Sequence, residues 1–205
     1  MRVLRFLPCL CVASVLAGNV RLDRPLPVPS PYYYLRYDDG IAYWLNWSGT
    51  YRGTWFDVED FIPAPSSWIT SASQLWFYHD PSYPWDTSSF YCELWNGGIG
   101  APISQLDQTT VSAVHYGPCY ADYGSGIATD VEFWVIINTE VSSGGWPSVL
   151  GDNTPGDDHS FFSDDFMVWE PWLVQGPTAN DYFIRSEFWW PGLDAATWGS
   201  IKTLF

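Results

Sequence analysis

The sequence predicts an all-β chain built on antiparallel sheet, a sandwich or barrel with little helix. Three observations carry this expectation. Runs of period two recur at 74–79, 90–95, 110–115, 130–138, 165–169 and 181–189, and they are rich in aromatic and β-branched residues. Turn-forming clusters separate them, among them NGGIG at 96–100, GSG at 124–126 and SSGGWP at 142–147. No stretch sustains helical periodicity for three turns, so helix is confined to short pieces, of which 193–205 is the best candidate.

Read from the start, residues 1–18 carry Arg2 and Arg5, then an apolar stretch of leader length, then small residues around Ala17. That is the pattern of a secretory signal peptide, so the chain is expected to be secreted or held at a cell surface. Residues 19–31 hold Pro25, Pro27, Pro29 and Pro31 in alternation, which favours an extended spacer. The β domain is expected over 32–190, followed by a short tail at 191–205. Within it, the run 130–138 places Val131, Phe133, Val135 and Ile137 on one face and Asp130, Glu132, Trp134 and Asn138 on the other. One face then belongs to the core and one to water, as in antiparallel sheet.

Composition narrows the functions. The chain has 205 residues, and 14 Trp, 13 Tyr and 12 Phe supply ample core for one domain. It carries 23 Asp and Glu against 8 Lys and Arg, a formal charge of −15, with its only lysine at Lys202. Without a basic run there is no footprint for a phosphate backbone, so nucleic acid is excluded as an expected partner. Beyond the leader no apolar run approaches the about 18 residues of a membrane span. Two cysteines lie outside the leader, Cys92 and Cys119, and in an oxidising compartment they are expected to pair as a disulfide.

Several segments, LRYDDGIAYW (35–44), ASQLWFYHD (72–80), FYCELWNGG (90–98), DVEFWVIIN (130–138), DNTPGDDHSFF (152–162) and DYFIRSEF (181–188), resemble a β-sandwich module. That module recurs in large exported bacterial proteins, including substrates of type IX secretion. The resemblance spans roughly 32–190 and implies a jelly-roll-like sandwich acting as an accessory module, for which no general activity is established.

The chemistry-bearing candidates are three. No metalloprotease, nucleophile-elbow, phosphate-loop or dinucleotide signature is present. Glycoside hydrolysis needs only two facing carboxylates, and Glu93 and Glu132, mid-strand and opposite the core pattern, are the candidate pair. The acidic loop at Asp152, Asn153, Asp157 and Asp158 has the hard oxygen chemistry of a structural calcium site, although its spacing is not that of an EF-hand. Tyr83, Trp85 and Trp146 lie on turns, where exposed rings stack on sugars or partner side chains. The reading that follows is an exported non-catalytic binding or accessory module for a neutral glycan or a cell-surface protein. A small secreted glycoside hydrolase is the alternative, and a structural envelope protein the second.

Overall fold

The computed structural model describes residues 19–25, 34–46, 49–61, 69–78, 88–142, 146–154, 158–173 and 180–189, with side chains placed from Tyr34 to Phe188. Among the described residues thirteen strands run in chain order. The first six are β1 (Asn19–Pro25), β2 (Tyr34–Leu35), β3 (Ile41–Asn46), β4 (Tyr51–Asp57), β5 (Ile69–Trp76) and β6 (Ser89–Asn96). The rest are β7 (Ser104–Ser112), β8 (Pro118–Ile127), β9 (Glu132–Asn138), β10 (Val149–Gly151), β11 (Ser160–Ser163), β12 (Glu170–Pro171) and β13 (Ile184–Trp189). A single 3-10 turn, Val58–Asp60, is the only helical element among the described residues.

All pairings between these strands are antiparallel, and they form an antiparallel β-sandwich. One layer is six-stranded in the order β12-β11-β4-β9-β6-β7, and the other is four-stranded in the order β2-β13-β5-β8. Because side chains alternate across a strand, Phe56, Phe90, Cys92, Leu94, Phe133, Val135 and Ile137 of the six-stranded layer all point inward. They meet Leu75, Cys119, Ala121, Tyr123 and Ile184 of the other layer in one continuous core. A third, smaller sheet, β1-β3-β10, is joined to the four-stranded layer by bridges between Phe77 and Val149 and between Gly151 and Tyr182. Its Ala42, Leu45 and Leu150 pack with Trp76, Tyr78 and Phe183.

Four expectations are corrected here. Residues 19–25, expected to belong to the spacer, pair with β3 as an edge strand. Residues 165–169, read as a strand, form a bend in which Phe166 adopts φ +66°, because Asp165 draws the following N–H groups into a turn. The segment 124–126, read as a turn, lies inside β8, where Gly124 and Gly126 accommodate an irregular register at positive φ. Finally, Cys92 and Cys119 are free, buried thiols on facing layers rather than a disulfide. The Cys92 thiol lies 3.8 Å from the Tyr123 hydroxyl, and the Cys119 thiol donates to the Leu75 carbonyl at 3.3 Å. Burial pushes both thiols up to about 12, so neither carries thiolate at neutral pH.

The leader, the alternating prolines from Pro27, the loop that holds Tyr83 and Trp85, Asp157, and the tail from Trp190 lie outside the described residues.

Candidate functional site

The outer face of the six-stranded layer is where this fold concentrates polar chemistry. Register fixes its rows: Tyr51 of β4, Asn138 of β9, Tyr91 of β6 and Thr110 of β7 lie side by side. The next row holds Gly53, Ile136, Glu93 and Gln108, and the one after it Trp55, Trp134 and Trp95. Gly53 is required by close approach, since a Cβ there would sit 3.2 Å from both Ile136 Cγ1 and the Trp134 ring. This face is not open to water along its length. The 164–169 bend folds over it and sets Phe166 4.9 Å from Tyr51 and 4.8 Å from Trp95, while Trp169 lies 5.0 Å from Trp134. Trp134, expected on the wet face, is therefore fully buried, as is Ile136.

That roof explains the state of Glu93. Its side chain was expected on a solvent-facing position and is only 4% exposed. Both oxygens are engaged, Oε2 accepting from Trp95 Nε1 at 2.8 Å and Oε1 from Asn138 Nδ2 at 2.7 Å. The same amide nitrogen donates to Glu140 Oε2 at 3.4 Å, and Glu140 Oε1 accepts from the Tyr51 hydroxyl at 2.6 Å. Burial first, and then this bond to Glu140, raise the Tyr51 phenol well above its ordinary value. Glu93, Asn138, Glu140 and Tyr51 are thus one network that ties β6, β9 and β4 together.

Glu132 is elsewhere. Its carbonyl accepts from Gly97 N–H at the far end of β6, four residues beyond Glu93, or about 13 Å at the usual strand rise. Its side chain is exposed beside Gly98, Asp130 and Val131. The structure does not bring Glu93 and Glu132 to the roughly 5 to 9.5 Å at which paired carboxylates cleave glycosides.

The acidic loop also differs from its expected chemistry. Asp152 is fully buried, with Oδ2 accepting from Asp39 N–H at 3.1 Å and from the Thr154 hydroxyl at 2.5 Å, and Oδ1 accepting from Asp181 N–H at 3.0 Å. A carboxylate so engaged fastens loops rather than ligating a cation. Burial raises it to about 6 despite those three donors. Asn153 accepts from Trp44 Nε1 at 3.0 Å, and Asp158 is exposed. Among the described residues no group of three His, Cys, Asp or Glu side chains is placed to hold a metal. Trp146, expected as an exposed platform, is 8% exposed and belongs to the interior.

Beside the Glu93 network, at the end of the sheet where β6 begins, lies a groove of about 480 Å³ lined by Ser88, Ser89, Tyr91, Thr110, Val141 and Ser142. Sequence reasoning missed it because its parts come from three separate segments. Its floor is the β6–β7 pair and its wall the turn after β9. That turn is braced from beneath: Thr139 donates by N–H and hydroxyl to Thr50 O at 2.9 and 2.7 Å, and Ser142 donates to Thr139 O at 2.9 Å. Below it the fully buried Arg52 guanidinium donates to Asn46 O at 3.1 Å, Pro147 O at 2.9 Å and Thr139 Oγ1 at 3.4 Å. Desolvation lowers that guanidinium to about 10.

With this geometry in hand, no protein-family model, curated protein or solved structure matches the chain. No helix among the described residues is long and apolar enough to cross a membrane.

Proposed function

We propose that the chain is an exported, non-catalytic binding or accessory module that engages a neutral glycan or a glycan-bearing cell-surface partner. The supporting observation is how the outer face of the six-stranded layer uses its acids. Glu93 is sequestered under aromatic rings and bonded on both oxygens, and Glu140 is held by Tyr51 and Asn138. A general acid or nucleophile must reach the reacting atom, whereas Glu93 serves to order rings and strands. Beside the exposed Glu140, that end of the sheet offers hydroxyl and ring surface, the chemistry of recognition. The leader-like residues 1–18 support export, and the acidity of the whole favours neutral over anionic ligands.

Retention on insoluble neutral polysaccharides tests this reading. The protein should be held by at least one of them and release no reducing sugar. Absence of retention on any of them, or turnover of the polysaccharide, overturns it.

A further inference from the structure

The structure assigns the binding step to one place: we infer that the groove between Tyr91, Thr110 and Ser142 is the site, and that it takes the pyranose rings of a neutral glycan. This assignment rests on the binding-module reading above and adds to it a location and a ligand chemistry.

Five of the six lining residues, Ser88, Ser89, Tyr91, Thr110 and Ser142, carry hydroxyls, the sixth is the half-exposed Val141, and none carries a charge. A hydroxyl both donates and accepts, so a hydroxyl-lined groove matches the alternating donors and acceptors of a sugar ring without fixing its polarity. A phosphate or carboxylated sugar would find no cation among these residues and would meet the field of an acidic protein.

The second observation is at Tyr91 and Thr110. They are register partners across β6 and β7, on the face shared with Glu93. Neither hydroxyl has a hydrogen-bond partner among the described residues, whereas those of Ser89 and Ser142 do. Tyr91 is half-buried, which leaves part of its surface exposed. A partly exposed ring with an uncommitted hydroxyl beside a second uncommitted hydroxyl suits ring stacking with directed hydrogen bonds. The described part of its wall is braced by the bonds of Thr139 to Thr50 and of the buried Arg52 to Thr139.

Titration of the full chain with neutral hexasaccharides of glucose, mannose and xylose, followed by calorimetry, decides the matter. At least one should bind. Tyr91→Ala should weaken that binding roughly tenfold or more, and Tyr91→Phe and Thr110→Val by several-fold, as expected for one stacked ring and single hydrogen bonds. Tyr120→Ala, which removes an exposed ring on the opposite layer, should leave it unchanged. Uronic-acid hexasaccharides should bind no better than buffer. If a neutral hexasaccharide binds and Tyr91→Ala and Thr110→Val, both folded by thermal unfolding, bind as the parent does, the groove assignment falls while the binding module stands. If the parent protein binds none of the neutral hexasaccharides, the assignment falls.

Discussion

Arg185 grips Asp38, 147 positions earlier in the chain, through both carboxylate oxygens, Nε to Oδ2 at 2.8 Å and a terminal nitrogen to Oδ1 at 2.5 Å. Both residues are buried, and Arg185 also donates to Gln74 Oε1 at 3.2 Å while lying over the Trp76 and Phe183 rings. The pair fastens the loop before β3 to β13. Breaking a buried pair from one side strands the other charge, so Asp38→Ala and Arg185→Ala should each destabilise the fold by roughly 3–5 kcal/mol. Replacing both residues with apolar side chains should cost less than the two single losses added together. Urea unfolding of the three variants measures this.

Asp152 makes stability depend on mild acid. Its carboxyl ionises near 3.8 when unfolded and at about 6 in the fold. Between those values the fold holds a proton that the unfolded chain has released. This group therefore favours the fold fully below pH 3.8, and its contribution is lost as pH rises through 6, by an amount on the order of 3 kcal/mol. Asp152→Asn should flatten that part of the stability profile between pH 4 and 7. Urea midpoints taken across the range report the slope for both proteins.

The two thiols give a chemical test of the core. In the native protein neither Cys92 nor Cys119 should react with iodoacetamide within hours, because both are buried and protonated. In denaturant without reductant both should be alkylated, the peptides that hold Cys92 and Cys119 each gaining one carbamidomethyl group by mass. A mass showing no alkylation under those conditions would establish a covalent pair instead.

Arg52→Met leaves the buried carbonyls of Asn46 and Pro147 without the guanidinium that now donates to them. A loss of about 1–3 kcal/mol for each such group is expected. Amide exchange of Thr139 and Ser142 should quicken more than that of β9, because the turn loses its brace while the strand keeps its ladder.

Alternation along β6, β9 and β13 was legible in the sequence, and so was the antiparallel sandwich, because inward Phe133, Val135 and Ile137 sit at period two. The central strand β4, Tyr51–Asp57, was not, since Arg52 and Gly53 interrupt any apolar rhythm. Arg52 belongs to the core only because the nearby Asn46 carbonyl and two oxygens from distant segments, of Pro147 and Thr139, converge on it. Glu93 illustrates the limit for sites. Its face was readable from parity, but its burial follows from the 164–169 bend, which no local pattern connects to β6. The groove was illegible for the same reason. Ser142 reads as a turn residue, and nothing in the sequence sets Ser88 and Ser89 beside it until register places them around Tyr91.

The position of β9 in the chain sets an order on folding. It lies between β4 and β6, and both precede it in sequence, so neither the middle of the six-stranded layer nor its inner core can close until residues 132–138 have been synthesised. Until then β4 and β6 present aromatic edges with no neighbour between them, the kind of surface that aggregates. Folding must consequently be late and strongly cooperative, dominated by contacts distant in sequence. A net charge of −15 opposes association of such partly formed chains through mutual repulsion.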